Sequence, residues 1–279
     1  MKKRKNRMFV NLFILAVLPY VITILINGSE MALLNRTADP EIILPIILKE
    51  QISSDYEEET LKAQAVIARS NLFFRKLKNK NEMEKEYKKL QEKNLEKWKI
   101  CVFMDKKEQK FEDAVKSTKG QILTFNGEVK LVPYHEISAG QTRNGEIAFH
   151  DSEYAYLKGV DSSADKAASD YFNSVYINRQ QLPEELKVKE REESGYVVSL
   201  IADKKILEAE AFAKGMKIPS SDFSIQKVGN LVRFLSKGKG HGIGFSQYGG
   251  NEMAKEGKNW KEILNTYFPL MEITAEDFL

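Results

Sequence analysis

His241 sits in the stretch GKGHGIGFSQYGG, residues 238–250, with glycine at 238, 240, 242 and 244 and with Ser246, Gln247 and Tyr248 just beyond. These side chains give and take hydrogen bonds, which suits a hydroxyl-rich ligand such as a sugar. Glycine at alternate positions costs conformational entropy and brings no side-chain packing. The run therefore implies unusual backbone angles or a close approach of the main chain to something. Phosphate binding is the first alternative, because a strand-like NLVRFLS precedes the run and a helical pattern follows it. The spacing excludes it. A P-loop has Lys-Ser/Thr after its last glycine, and Gly244 is followed by Phe245. A dinucleotide fingerprint begun at Gly238, Gly240 or Gly242 meets Ile243, Phe245 or Gln247 where its third glycine belongs. A loop facing a polar ligand and a purely structural turn remain.

The elements that position this loop are legible in outline. Residues 41–74 read as two helices, with Pro45 at an early helical position or a kink. Ser54 followed by Glu57 forms a capping-box pattern ahead of the second helix. Leu61, Ala65, Ala68 and Leu72 then recur at helical spacing as a core-facing stripe, and Ala63, Ala65 and Ala68 allow close packing. Residues 75–99, rich in lysine and glutamate, read as an amphipathic surface helix. From 100 to 235 the pattern turns to strands: CVFMD, GQILTFNGEVKLVPYHEIS and GYVVSLIADKKILEAEAF. Asn126-Gly127 marks a hairpin, and DAVKSTKG reads as a short helix stopped at Gly120. ADKAASDYFNSVYI, residues 164–177, is open between helix and strand. One or two short helices follow the glycine run, ending near Pro269. A strand-rich centre flanked by helices predicts an α+β fold.

Length and composition narrow the class. The chain has 279 residues and a net charge of +3, nearly balanced, which argues against a dedicated nucleic-acid binder. One cysteine, Cys101, forms no internal disulfide and no multi-cysteine zinc site. Lys2, Lys3, Arg4, Lys5 and Arg7 make a basic tail (1–7) before an uncharged apolar run over residues 8–27. About 20 helical residues cross a bilayer core. The run exceeds the h-region of a signal peptide and lacks a clear cleavage site, so it predicts an uncleaved anchor. The positive residues place the N-terminus in the cytoplasm and the rest outside the cell membrane. Residues 28–40 read as a linker, and residues 41–279 as a single extracytoplasmic domain.

Three ordered blocks resemble the stage II sporulation protein D family, which also includes amidase enhancers. The glycine run with its following helix, GHGIGFSQYGGNEMAKEGKNWKEILNTYFPLMEI, is similar to the family's C-terminal signature. ILPIILKEQISSDYEEETLKAQAVIARS is similar to its N-terminal block, and DAVKSTKGQILTFNGEVKLVPYHEISAGQT to its central block. YLKGVDSSADK, residues 156–166, matches a further short segment. The resemblance covers roughly residues 41–275 and implies a lytic transglycosylase. Such an enzyme cleaves peptidoglycan glycan strands, by preference peptide-stripped ones, to 1,6-anhydromuramyl products during engulfment. It works with an amidase and a membrane partner. A catalytically silent, glycan-binding activator of an amidase is the alternative that the enhancer branch implies.

The resemblance places the catalytic acid at Glu50. One carboxylic acid suffices for this reaction: it protonates the leaving glycosidic oxygen and then assists closure of the sugar's own 6-hydroxyl on C1, unlike the paired carboxylates of most glycosidases. Such an acid is expected in apolar surroundings that favour its protonated form, for which Ile46, Ile47 and Ile52 are near in sequence. The central block adds His135, Ser138, Gly140, Gln141 and Thr142 as a second wall. His241, Ser246 and Gln247 then serve as sugar contacts, with the glycines thinning the backbone beneath a glycan. Some relatives bind zinc near the central histidine. Here Gln141 stands where a cysteine aligns, and Glu146 and Ile147 near the remaining ligand positions, so no metal or other cofactor is expected. The sequence departs from the family also at Lys239, where tryptophan is common, and at Phe212, where an arginine is expected.

Overall fold

The structure is a computed structural model that describes residues 40–79 and 106–276. The basic tail, the membrane anchor, nearly all of the linker, CVFMD with Cys101, and residues 80–99 of the amphipathic helix lie outside the described residues. No helix among the described residues is long and apolar enough to cross a membrane. The described part mixes helices with several small sheets, consistent with the α+β expectation.

Helices α1 (Pro40–Gln51), α2 (Glu58–Lys78) and α3 (Lys106–Ser117) pack side by side. Pro45 lies inside α1. The predicted stripe Leu61, Ala65, Ala68 and Leu72 faces this trio, where it meets Ile43, Leu44, Leu48, Phe111 and Val115. Burying a leucine of this kind stabilises by about 1.5–3 kcal/mol. The opposite face of α2, with Ala63, Val66 and Ile67, packs into a second core. A helix apolar on both faces has to be central, and small residues at 63, 65 and 68 let elements approach from each side.

Polar residues near the C-terminal half of α2 tie it to its neighbours. Buried Arg69 binds Glu41 of α1 through Nε and Nη2, at 2.6 and 2.9 Å. It also donates to the carbonyls of Val115 and Gln121 and to Thr118 Oγ1. Asn71 exchanges two hydrogen bonds with the main chain of Val132, both 2.8 Å, as a strand neighbour would. Strand β1 (Gln121–Phe125) turns at Asn126-Gly127 into β2 (Glu128–Val129). Both turn residues have positive φ, 52° and 76°, the requirement of a tight hairpin.

The central stretch forms a separate core between two three-stranded antiparallel sheets. One is β4 (Phe172–Asn178), β9 (Leu231–Lys237) and β8 (Phe223–Val228), with β9 in the middle. The other is β5 (Leu186–Arg191), β6 (Val197–Ala202) and β7 (Lys205–Glu208), with β6 in the middle. Phe212, Phe223, Phe234, Leu200 and Val232 fill the space between. A parallel two-residue pair, β3 (Tyr134–His135) with β10 (Phe245–Ser246), joins the central block to the glycine run. Helices α6 (Gln247–Lys255) and α7 (Trp260–Tyr267) follow, and β11 (Glu272–Ala275) returns to pair with β1. Between β3 and β4 lies α4 (Gly145–Phe149), and between β7 and β8 lies α5 (Ala209–Gly215).

Two local expectations are corrected, and one left open is resolved. The Ser54–Glu57 capping box does not form: Glu57 is the N-cap of α2 and makes no side-chain cap bond. The cap comes from α6 instead, where Asn251 Oδ1 accepts from the Glu57 amide at 2.8 Å. AEAF, read as strand, is helical, because Glu208 at the end of β7 accepts from the amides of Glu210 and Ala211 and so starts α5. Residues 164–177 divide, with a short 3₁₀ turn over Ser163–Ala167 and then strand β4.

Candidate functional site

The four alternating glycines have positive φ: 70° at Gly238, 112° at Gly240, 74° at Gly242 and 74° at Gly244. A Cβ at Gly238 would overlap the carbonyls of Ile137 and Ser138. At Gly240 it would overlap the His135 side chain, at Gly242 the Tyr196 ring, and at Gly244 the Pro133 carbonyl. The close approach that these glycines permit is thus to the chain's own 133–138 segment and to Tyr196. It seats the glycine run beside the central block: Lys239 and Ile137 exchange main-chain hydrogen bonds, and the Phe245 amide reaches the Pro133 carbonyl.

This seating brings the two predicted histidines together. The rings of His135 and His241 lie 5.7 Å apart, tilted by 59°. His135 is buried. Its Nδ1 lies 3.2 Å from the Ile243 carbonyl, and its Nε2 is buried without a hydrogen-bond partner. Burial, and then the neighbouring His241, push the His135 imidazole down to about 3. His241 is also pushed down by burial, and its Nδ1 accepts from the Ile243 amide at 3.0 Å. Both rings are therefore neutral near pH 7, and neither supplies a cation. Arg143 closes the far side of this region. Buried, it binds Glu192 at 2.6 Å, reaches Glu210 at 3.3 Å, and donates to the His241 carbonyl at 3.1 Å.

The other predicted contacts converge on a residue to which the sequence reading gave no role. Asp165, fully buried, accepts from the Ser138 amide at 2.7 Å, from Ser162 Oγ at 3.1 Å and from Ser246 Oγ at 2.8 Å. Burial pushes its carboxyl up, and the hydroxyl and amide donors pull it back. Ser246 is also the N-cap of α6, accepting from the Gly249 amide. Gly249 leaves room for this hub, since a Cβ there would overlap Tyr267, Ser162 and Asp165. Thr142 exchanges hydrogen bonds with Val160, and Gly140, at φ 100°, lies against Lys166. Gln141 is exposed. Ser138, Thr142 and Ser246 thus direct their polar groups inward, and Gln141 points to solvent.

Gln247 connects the glycine run to Glu50. Its Nε2 donates to the Gln51 carbonyl at 2.8 Å and to Gln64 Oε1 at 3.2 Å, and Gln64 donates in turn to Gln51 Oε1 at 3.0 Å. This triad of glutamines, with Gln64 and Gln247 buried and Gln51 half-buried, fixes the C-terminal end of α1. Glu50 itself is exposed, and its carboxylate makes no hydrogen bond or ion pair among the described residues. The apolar surroundings expected from Ile46, Ile47 and Ile52 are not present, because Ile46 and Ile52 are buried in the core of the helix trio and Ile47 packs against it. Beyond the triad, the Tyr248 amide donates to the Glu136 carbonyl at 3.0 Å, and Glu136 pairs with Lys239 at 2.5 Å. Tyr56, in the loop after α1, is half-buried. Its phenol is pushed up to about 12, by burial first and then by Glu136, Asp165, Tyr248 and Glu252. Tyr56 and an exposed ion pair thus lie about the glycine run, and Glu50 stands one residue before the Gln51 carbonyl that Gln247 holds. Among the described residues, no group of three or more His, Cys, Asp or Glu side chains gathers.

Residues 30–125 match the family model described as stage II sporulation protein, SpoIID. The chain is 29% identical over 270 residues to stage II sporulation protein D of Bacillus subtilis, covering 85% of this chain and 74% of that protein. It is 26% identical, with the same coverage, to the protein of that name from Bacillus amyloliquefaciens. An uncharacterized protein of Brachyspira hyodysenteriae is 27% identical over 245 residues, which is 81% of this chain and 64% of that protein. The N-terminal block with Glu50 and the start of the central block fall inside the matched family domain, and the resemblance to the stage II sporulation protein D family is borne out.

Proposed function

We propose that the protein is a membrane-anchored lytic transglycosylase of peptidoglycan that acts in sporulation. Glu50 is its acid, and an amidase and a membrane protein are its partners in engulfment. The observation that carries the proposal is the position of Glu50. It is open to solvent, yet it stands on a helix end held by the Gln51–Gln64–Gln247 triad. Catalytic groups need such fixed support. A glycan laid across this seam would itself exclude water from the carboxyl group.

The protonated Glu50 gives its proton to the glycosidic oxygen as the C1–O bond breaks. The muramyl 6-hydroxyl then bonds to C1 and returns a proton to the Glu50 carboxylate, so no water is consumed. Tyr56, Tyr248 and the Glu136–Lys239 pair border the same seam and are positioned to hold the sugar. His135, Ser138, Gly140, Thr142, Ser246 and Gln247 act beneath it as the frame, with His241 and Gln141 closer to the surface.

The test is digestion of peptide-free glycan strands by the full chain, read by mass spectrometry. Products with 1,6-anhydromuramyl ends are expected, and Glu50→Gln should abolish them. No anhydro ends, together with faster hydrolysis by an added amidase, would replace this reading by that of a silent activator.

A further inference from the structure

Among the described residues, the sheet β8–β9–β4 buries one face and leaves the other uncovered. Along β4 the outward positions are Phe172, Ser174 and Tyr176, and both aromatic rings are largely exposed, 62% and 53%. Arg233 of β9 stands directly opposite Tyr176 in the register. Its guanidinium is pinned to the sheet: Nε and Nη2 donate to Ser174 Oγ at 3.0 and 2.9 Å, and Nη1 reaches Gln226 Oε1 of β8 at 3.4 Å. A cation is therefore held between two exposed rings on one flat face. Phe172 and Tyr176 are four residues apart, about 13 Å along the strand. The Phe172 ring is braced by Tyr171, edge to face at 4.8 Å.

Charge on this face has one sign. Its strand positions carry Arg233 and Lys237 and no acid; Asp222, buried at the edge, lies 3.9 Å from Lys237, and exposed Asp170 precedes the first residues of β4. Two aromatic faces flanking a fixed guanidinium complement a chain whose apolar ring faces flank a carboxylate. A glycan strand stripped of its peptides has that character, because each muramic acid then ends in a free lactyl carboxylate. A strand still bearing peptides carries an amide there. Lys237 runs directly into Gly238, so the face ends where the glycine run begins.

We propose that this face is a second glycan-binding surface. Arg233 takes a lactyl carboxylate of a peptide-free strand, and Phe172 and Tyr176 stack on sugar rings to either side. The assignment rests on the reading of a glycan as the ligand, but not on Glu50 being catalytic. The surface holds the strand and distinguishes stripped from peptide-bearing glycan.

The experiment uses the full chain carrying Glu50→Gln, so that nothing is cleaved. Its binding to amidase-stripped sacculi, intact sacculi and N-acetylglucosamine oligomers is compared with that of the same chain also carrying Arg233→Gln, Phe172→Ala or Tyr176→Ala. Arg233→Gln should weaken binding to stripped sacculi by about tenfold and leave the uncharged oligomers unaffected. Each aromatic variant should weaken both. Unchanged melting temperature confirms that the variants fold. Equal binding by Arg233→Gln and its parent would overturn the proposal, as would an equal loss on uncharged oligomers. A face that captures a protein partner while glycan binding is unaltered would overturn it too. Anhydro-product formation by Arg233→Gln in the otherwise native chain separates the two readings. Cleavage with unaltered glycan binding removes this surface alone, and Arg233-dependent binding without any cleavage removes the transglycosylase alone.

Discussion

Gln247 of α6 donates its side-chain amide to the main-chain carbonyl of Gln51, one residue beyond Glu50 and 196 positions away in sequence. Replacing it with alanine would strand a buried carbonyl and the Gln64 amide oxygen. Gln247→Ala is expected to cost about 1–3 kcal/mol of stability. Glycan cleavage should also drop in conditions where the variant is fully folded. Denaturant titration and product analysis on one preparation check both, and normal cleavage by the folded variant would remove Gln247 as a positioning residue.

The glycine run makes a graded prediction. Gly242→Ala and Gly244→Ala combine positive φ with a Cβ that overlaps Tyr196 or the Pro133 carbonyl. Gly257→Ala has positive φ, 91°, but open space around it. Gly257→Ala is expected to cost about 1 kcal/mol and the other two at least about twice that. Melting curves of the three variants measure the order. A Gly244→Ala protein no less stable than Gly257→Ala would contradict the close approach.

Asn251 caps α2 from outside. Asn251→Ala leaves the Glu57 amide without its acceptor and should destabilise by about 0.5–2 kcal/mol. Ser54→Ala, at the cap position suggested by sequence, should change little. The contrast in chemical denaturation midpoint is the observable.

Stability should fall with acid through the buried histidines. The folded His135 imidazole is pushed down to about 3 and His241 is also pushed down, while unfolded histidine takes its proton near 6.5. Between those values the unfolded chain binds more protons, so stability rises with pH. For His135 the contribution is complete above about pH 6.5 and is lost as pH falls toward about 3, by up to roughly 1.4 kcal/mol per unit, and His241 acts with the same sign. Asp165, whose carboxyl burial pushes up, has the opposite sign: its contribution is present below the ordinary carboxylate value and is lost as pH rises through the folded one. Urea unfolding at pH 7.5 and pH 5 should show a larger loss for the native chain than for His135→Asn. Equal losses would rule out His135 as the source.

Local features were readable in the sequence because their causes are local. The Leu61–Leu72 stripe, the Asn126-Gly127 hairpin and the stop at Gly120 each follow from neighbours a few positions apart. His241 stood out in the glycine run itself, whereas the positions of Glu50 and His135 came from block resemblance, and the structure gives the spatial reason for those blocks: they meet at one seam. What the glycines approach, what caps α2, and the role of Asp165 depended on partners far along the chain. Asp165 was one acid in a polar stretch until Ser138 and Ser246 were seen to converge on it.

The pairing of β1 with β11 sets an order of assembly. Gln121–Thr124 find their partners in Glu272–Ala275, roughly 150 positions later. Contacts this distant carry a large loop-closure cost and form late. The helix trio with Glu50 has its own apolar core and can gather early. Its seam with the glycine run is completed only when Gln247 and Asn251 of α6 have arrived, so a partly made chain displays the acid without the frame beneath it.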